Sequence, residues 1–464
     1  MSYSSAVSYL YGLQKYGIKL GLEKTETILD HLGTPHRQFH SIHIAGTNGK
    51  GSTAAMIASM LRAHGFTVGL FTSPHLVSFT ERIMINNKRI AESEVVQLTE
   101  EIRERIAPLT THMPEPTFFE FVTAMAFLYF ARNKVDWAVL EVGMGGRLDA
   151  TNVIFPEVSV ISKISYDHKE FLGSTLAAIA REKAGIIKKG TPVISAVQED
   201  EAEEILRKTA QERSAPLFVY GKDFHGILKT SDLAGVRFDF SDGPQKIGDL
   251  QTSLIGDHQL MNACLAVKAV TTALQGRNRS CSTRGEYKGS LLMTDYPSRI
   301  REGLAATRWQ GRLEWVSDTP PIMVDGAHNP DAAAALSRFI MSAFADKKII
   351  LVAGIMADKD IGGILTHLLP LASEIIFTAP NYGRAAAPQH LADCAASLGF
   401  NNVHVARTVR EAIEKAIKYS NESENKEESL NASLILITGS FYTIGEAKEA
   451  LGEEAVLGTL RETL

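Results

Sequence analysis

The sequence predicts an α/β protein of two domains, each built around a mainly parallel sheet. Three observations carry this. Short apolar runs rich in Val and Ile alternate with segments of helical length, the pattern of strands covered on both faces by crossover helices. The chain has 464 residues, too many for one typical domain. The alternation also stops at a polar, basic, Gly- and Ser-rich stretch, GRNRSCSTRGEYKGS (276–290), and starts afresh after about residue 312. The stretch reads as a surface loop or linker. The expected division is an N-terminal domain over 1–304 and a smaller C-terminal domain over 305–464.

In chain order, strands are expected at Ser41–Gly46, Val135–Gly143, Val158–Ser165 and Thr191–Ala196. In the second half they are expected at Pro321–Asp325, Lys348–Gly354, Glu374–Pro380, Asn401–Ala406 and Ser433–Gly439. Each is a short, near-continuous apolar run bounded by polar or turn-forming residues. Helix-length segments lie between them, at Ser52–His64, Phe119–Asn133, Leu176–Lys188 and Asp331–Phe344. The charged run Asn421–Asn431 reads as a solvated loop.

Composition narrows the function classes. With 45% hydrophobic and 22% charged residues, the chain can bury a sizeable core, which excludes global disorder. A formal charge of −5 argues against a nucleic-acid partner and leaves room for a local basic pocket. The cysteines Cys264, Cys281 and Cys394 are far apart and form no CxxC or Cys/His spacing, against a disulfide scaffold or a zinc site. The N-terminal MSYSSAVSYLYGLQKYG lacks a basic-then-apolar leader, and no run of 18 apolar residues occurs, so neither a signal peptide nor a membrane span is expected. A cytoplasmic setting fits.

The sharpest local signal is SIHIAGTNGKGSTAAMIASML. An apolar strand runs into Gly46-Thr47-Asn48-Gly49-Lys50-Gly51-Ser52-Thr53, and an amphipathic helix follows. Glycines let several N–H groups converge on one anion, and the helix N-terminus adds its positive dipole end. Lys50 is placed to reach the β- and γ-phosphates of a nucleotide and Ser52 to hold Mg²⁺. The strict GxxxxGK[ST] pattern is not met, because Ile44 stands at its first position and Gly51 follows the Lys directly. Even so, the strand–loop–helix context favours a phosphate site over a bare turn.

Other polar residues sit at strand ends, where open α/β sheets meet their ligands. Glu141 ends an apolar strand just before Gly143, Gly145 and Gly146. It reads as a metal ligand beside phosphates, or else as the partner of Arg147. Asp167 and His168 follow the next strand, and a ligand role suits His168. Lys183 lies in a helix that otherwise buries Ala184, Ile186 and Ile187, and from spacing alone it is a snorkelling lysine. Farther on, Asp325, His328 and Asn329 end another strand; Asp325 suits either a ribose hydroxyl or a turn. Arg312 is a candidate phosphate clamp, and Gly439 and Ser440 repeat the strand-end theme. Polar strand ends in both halves point to a cleft between domains.

These blocks resemble the folylpolyglutamate synthase and dihydrofolate synthase family of the Mur ligase superfamily. The resemblance rests on HIAGTNGKGS (43–52), FTSPHLVSFTERI (71–83), TFFEFVTAMAF (117–127), LEVGMGGRLDATN (140–152), SYDHKEFLG (165–173), REKAGIIKKG (181–190), RWQGRLE (308–314), DGAHNP (325–330) and ITGS (437–440), in that order. It implies a phosphate-loop ATPase-type N-terminal domain and a Rossmann-like C-terminal one. It also implies ATP-dependent addition of L-glutamate to the carboxylate of a folate, with dihydropteroate as a second acceptor, through an acyl phosphate. By the same resemblance Thr47, Asn48, Gly49, Lys50, Gly51 and Ser52 hold the phosphates. Asn262, Arg312 and Asp325 contact the nucleotide. Ser52, Ser73, Glu141 and His168 ligate Mg²⁺ at two sites. Lys183 matches the family's carbamylated lysine. Arg82, Phe121, Asp149 and Ala150 contact the pterin or folate, and His328 and Ser440 the glutamate. A monomer is expected. One departure is Gln310, where the family has Pro.

Two other readings stay open on the residues alone. One is a related Mur-type ligase acting on another carboxylate. The other is a phosphate-loop ATPase switch without ligation.

Overall fold

The eight-stranded sheet of the N-terminal unit is ordered so that the strand leading into the phosphate loop lies near its middle. The structure is a computed structural model and describes residues 1–17, 21–111, 114–280, 295–424 and 433–453. Its strands are β1 (His40–Ala45), β2 (Val68–Phe71), β3 (Ile83–Ile85), β4 (Lys88–Arg89), β5 (Trp137–Glu141), β6 (Val158–Ile161), β7 (Val193–Ser195) and β8 (Leu217–Val219). They run in the order β4-β3-β2-β5-β1-β6-β7-β8. All pairs are parallel except β2/β3 and β3/β4. Three further strands, β9 (Phe224–Asp232), β10 (Gly235–Asp242) and β11 (Gln245–Thr252), form a separate antiparallel sheet.

Helices of this unit are α1 (Tyr3–Gly12), α2 (Glu23–His31), α3 (Lys50–Ala63), α4 (Glu92–Ile106), α5 (Phe118–Arg132), α6 (Lys169–Leu172), α7 (Leu176–Ala184), α8 (Asp200–Glu212), α9 (His258–Ser280) and α10 (Tyr296–Ala305). The central strands are buried along almost their whole length and mainly apolar, as strands covered on both faces are, with Ser41, His43 and Ser159 as buried polar exceptions. Helix α5 starts at a reciprocal cap, in which Glu120 N donates to Thr117 Oγ1 (3.3 Å) and Thr117 N donates to Glu120 Oε2 (2.7 Å). It buries Phe121, Phe127 and Phe130 completely.

The second unit holds β12 (Glu314–Asp318), β13 (Pro321–Val324), β14 (Ile349–Ala353), β15 (Glu374–Phe377), β16 (His404–Val405) and β17 (Leu434–Thr438). Their order is β12-β13-β17-β14-β15-β16, parallel except for β12/β13. Its helices are α11 (Pro330–Ala343), α12 (Ile361–Leu368), α13 (Pro388–Ser397), α14 (Val409–Glu424) and α15 (Phe441–Ala450). Two apolar clusters contribute to its core. One contains Met323, Leu351, Phe377 and Leu436, the other Ile322, Val352, Ile376 and Ile437; these are alternate residues of the same strands.

The chain divides between Arg308 and Trp309, with His75–Ser78 and Ile255–Asp257 also belonging to the second unit. Each expected strand overlaps an observed one, though several observed strands are shorter and β1 begins one residue earlier, at His40. Two expected loops begin as helix instead. Gly276–Ser280 continue α9, and Asn421–Glu424 end α14. A helix nucleated on an apolar face adds polar residues at its end at little cost each. Residues 281–290 of the first stretch, Cys281 included, and 425–431 of the second lie outside the described residues. Among the described residues no helix is long and apolar enough to cross a membrane.

Candidate functional site

Register places the first group of site residues. Ile44 of β1 lies opposite Glu141, so that carboxylate stands two residues short of Gly46 on the neighbouring strand. Beyond β1 the chain turns sharply. Gly46 has φ 150°, and a Cβ there would lie 1.8 Å from Ser162 Oγ; Gly49 has φ 88°, and its Cβ would lie 2.3 Å from Asn262 Oδ1. Both positions therefore require glycine. Gly49→Ala is expected to cost about 1–3 kcal/mol in backbone strain and to displace Asn262. A thermal melt and a nucleotide titration would show both effects.

The loop is anchored from below. Thr47 N and Asn48 N donate to Lys163 O (2.9 and 3.1 Å), and Thr47 Oγ1 donates to Ser165 O (3.0 Å). These two residues thus brace the loop against the end of β6. The amides of the first turn of α3, beginning at Lys50, have no preceding helical carbonyl and suit an anion. Lys50 Nζ donates to Gly46 O and Thr47 O, each at 3.1 Å. Lys183, only 4% exposed, donates its Nζ to the same Gly46 O at 2.7 Å. It does not snorkel: it is buried, with its ammonium on the glycine loop.

Two ammonium groups on one carbonyl is an arrangement that favours an anion. Burial, with Lys50 next in weight, pushes the Lys183 pKa down to about 7, while Asp167 and Asp149 oppose the shift.

Glu141 is 4% exposed, and Oε2 accepts from Ser73 N at 3.2 Å. Arg147 does not pair with it: its Nη2 donates to Glu182 Oε1 at 3.0 Å. A buried carboxylate beside Ser73 and next to the loop that carries buried Ser52 is an oxygen-rich set, which fits Mg²⁺. His168, at φ 49°, begins the short α6, and its Nε2 lies 3.7 Å from Asp167 Oδ2. Among the described residues no three His, Cys, Asp or Glu side chains form a metal cluster. The expected ligand set contains only two residues of those types.

On the acceptor side, Asp149 is buried and receives Met144 N (3.0 Å, Oδ2) and Thr151 N (3.0 Å, Oδ1). Burial pushes its carboxyl up, and those hydrogen bonds oppose the shift. Ala150, also buried, opens the short turn that Asp149 caps. Arg82 is buried with its guanidinium 5.0 Å from the centre of the Phe118 ring. Phe121 is sealed in the core, edge-on to Tyr9. Phe119, two residues earlier in α5, projects elsewhere and packs beside Gly143, while Phe118 lies under the Arg82 guanidinium.

Asn262 Nδ2 donates to Gln259 Oε1 at 3.0 Å, which turns Asn262 Oδ1 towards Gly49. Gln259 is a residue the sequence reading missed, although HQLMN spaces it three residues from Asn262 on one helix face. Gln198 was also missed. Its amide accepts from Ile164 N (2.9 Å) and donates to Ser162 O (3.0 Å), fixing the segment that leads to Asp167 and His168.

The second unit carries its own group. Asp325 accepts from Leu313 N (3.0 Å) and Ala327 N (2.9 Å), so it holds a turn as well as facing Arg312. Burial pushes its carboxyl up, and Arg312 opposes this. The Arg312 guanidinium lies 4.6 Å and the His328 ring 5.4 Å from the centre of the Phe441 ring. Phe441, another missed residue, is thus a shared platform. His328 Nδ1–H donates to Gly326 O (2.8 Å), which fixes the ring. Ser440 caps α15, accepting from Thr443 N at 3.0 Å. The turn with Gln310 in place of Pro is closed by Gly311 N donating to Glu314 Oε2 (2.6 Å) and Gly326 N donating to Gly311 O (3.0 Å).

Comparison with known proteins identifies the family. Residues 44–270 match the Mur ligase middle domain and 311–441 the Mur ligase glutamate ligase domain. A dihydrofolate synthase/folylpolyglutamate synthase of Bacillus subtilis is 36% identical over 97% of this chain and 99% of its own. The Mycobacterium tuberculosis folylpolyglutamate synthase complexed with ADP and AMPPCP superposes with a TM-score of 0.87 at 33% identity, covering 98% of this chain and 100% of that one. An FPGS–AMPPCP–folate complex superposes with a TM-score of 0.80 at 32% identity, over 98% and 100% of the two chains. Sequence, fold and site residues together place the chain in the folylpolyglutamate synthase and dihydrofolate synthase family of ATP-dependent Mur ligases.

Proposed function

We propose that the protein joins L-glutamate to the terminal carboxylate of a folate, and to dihydropteroate, with conversion of ATP to ADP and phosphate. The observation that carries this reading is the convergence of Lys50 and Lys183 on the glycine loop beside buried Glu141. Lys50 offsets phosphate charge in a dry setting, and burial favours the neutral amine of Lys183 that a carbamate needs.

In the first step an oxygen of the acceptor carboxylate attacks the γ-phosphorus. The bond to the β-bridging oxygen breaks, and ADP leaves. In the second, the glutamate amine attacks the acyl carbon, a proton is lost, and the tetrahedral intermediate expels phosphate. Thr47 and Asn48 brace the loop, while Gly49, Lys50, Gly51 and Ser52 meet the phosphates. Ser52, Ser73, Glu141 and His168 would hold Mg²⁺ at two sites, where it neutralises phosphate charge. Asn262, Arg312 and Asp325 serve the nucleotide. Arg82, Asp149 and Ala150 serve the pterin, with Phe121 supporting the helix from behind. His328 and Ser440 serve the incoming glutamate. Lys183 is carbamylated in the working enzyme.

The decisive experiment is ADP release from purified protein with Mg²⁺ and ATP, with and without L-glutamate, with reduced folate or dihydropteroate as acceptor. Glutamate-dependent release with both acceptors is expected. Release without glutamate dependence would indicate an ATPase switch, and silence with both acceptors would indicate another carboxylate. His328→Ala is expected to raise the KM for glutamate about tenfold, the loss of one charge-assisted hydrogen bond. The KM for ATP should stay near its starting value. Equal effects on both would remove His328 from the glutamate site.

A further inference from the structure

His43 lies on β1 three residues before Gly46 and is 0% exposed. Its neighbours across the sheet are Leu140 and Ser159. An aliphatic side chain is the ordinary occupant of such a position, and a buried imidazole there carries a desolvation cost. Part of that cost is visible: Nδ1 is buried with no hydrogen-bond partner among the described residues. A polar atom left in this way calls for a functional explanation.

The other nitrogen supplies one. His43 Nε2 lies 2.8 Å from Thr151 Oγ1, and Thr151 Oγ1 lies 2.5 Å from Asp149 Oδ1. A hydroxyl has one proton. Thr151 gives it to the carboxylate, which can only accept, so its lone pair must take the proton of His43 Nε2. The direction of the chain is therefore fixed from His43 through Thr151 to Asp149, with the imidazole neutral and protonated on Nε2. Burial, aided by Lys188, holds the imidazole pKa down at about 3, so it stays neutral at working pH. Histidine is suited to this because its rigid ring presents one donor at a fixed distance from the strand.

We propose that His43 is a positioning residue for the acceptor site: through Thr151 it fixes the Asp149 carboxylate, tying the strand that enters the phosphate loop to the loop that holds the pterin. The proposal rests on the reading above that Asp149 belongs to the acceptor site. Asp149 also interacts electrostatically with Lys183, so its placement bears on the phosphate side as well.

The test uses Thr151→Val, which keeps the shape and removes the hydroxyl, Thr151→Ser, which restores it, His43→Leu and the double variant. Asp149→Asn tests the underlying reading. Thr151→Val is expected to raise the acceptor KM about tenfold, as for one hydrogen bond to a carboxylate, with the ATP KM unchanged. Thr151→Ser should recover the wild-type acceptor KM. Adding His43→Leu to Thr151→Val should have little further effect, because both break one chain. If Asp149→Asn raises the acceptor KM while His43→Leu and Thr151→Val do not, the positioning role is overturned and the acceptor site stands. If Asp149→Asn leaves it unchanged, the acceptor assignment falls and the proposal with it. Nitrogen-15 NMR of the wild-type imidazole provides an arm free of folding effects: Nε2–H with bare Nδ1 is expected at neutral pH, and Nδ1–H would overturn the proposal.

Discussion

Lys50→Ala is expected to lower glutamate-dependent ADP formation about a thousandfold, the scale of removing a preorganised group that stabilises developing charge. The reason lies in where the ammonium stands. It reaches across the mouth of the loop to Gly46 O and Thr47 O, within reach of an anion seated on the first turn of α3. Both acceptors are backbone groups of the loop itself, and the loop keeps its brace through Lys163 O and Ser165 O. The fold should therefore survive, with a melting temperature close to wild type. Lys50→Arg should remain far below wild type as well, because a planar fork does not replace a compact ammonium between two carbonyls. Near-normal turnover by Lys50→Ala in a folded protein would remove the phosphate-loop assignment.

The phosphate loop was legible because its signal is local. Strand, glycines, lysine and helix follow within a dozen residues, and each conformational demand falls on a neighbour in sequence. Most parallel strands were legible because burial on both faces makes them short, mainly apolar runs, but the parallel strands β2 and β8 were not foreseen. The antiparallel sheet of β9, β10 and β11 was missed. Its outer face carries Lys229, Asp239 and Arg237, and charged residues every second or third position obscure an apolar strand signal. Residues 75–78 and 255–257 belong with the second unit through tertiary packing such as Leu76 against Gly311 and Gly445, which no local pattern announces.

The same limit applies within the site. Lys183 reads as a surface lysine by spacing, because its burial is decided by the approach of Gly46 from another element. Gln198, Gln259, Phe441 and His43 act through partners distant in sequence or through side-chain direction. That Arg147 is not the partner of Glu141 shows only in the structure, where it donates to Glu182.

Lys183 gives the other large effect. Lys183→Arg is expected to abolish activity even though it keeps a positive charge. A carbamate forms when a neutral amine attacks carbon dioxide at carbon and loses a proton, and a guanidinium does not present such an amine. The site is prepared for this: with its pKa near 7, about half of Lys183 is neutral at neutral pH, against a very small fraction for an ordinary lysine. Under low carbon dioxide the rate should fall as pH drops below about 7, and added bicarbonate should restore it most effectively above that value. A carbon-13 carbamate resonance after labelling with bicarbonate, lost in Lys183→Arg, would give the direct readout. Retained activity in Lys183→Arg would mean that Lys183 serves as a plain cation.

Replacing Lys183 should raise stability even as it removes activity. An unmodified Lys183 binds its proton less readily when folded than when unfolded, where its pKa is about 10.4. Between about 7 and 10.4 the unfolded chain holds more of this proton, so stability rises with pH there and the penalty is greatest below 7. Lys183→Met removes the group that carries the penalty, and Lys50 still donates to Gly46 O. In bicarbonate-free buffer, inactive Lys183→Met should therefore melt higher than wild type, and the gap should widen as pH falls from 9 to 7. A lysine retained at a cost to the fold is then explained by the chemistry that needs its neutral amine.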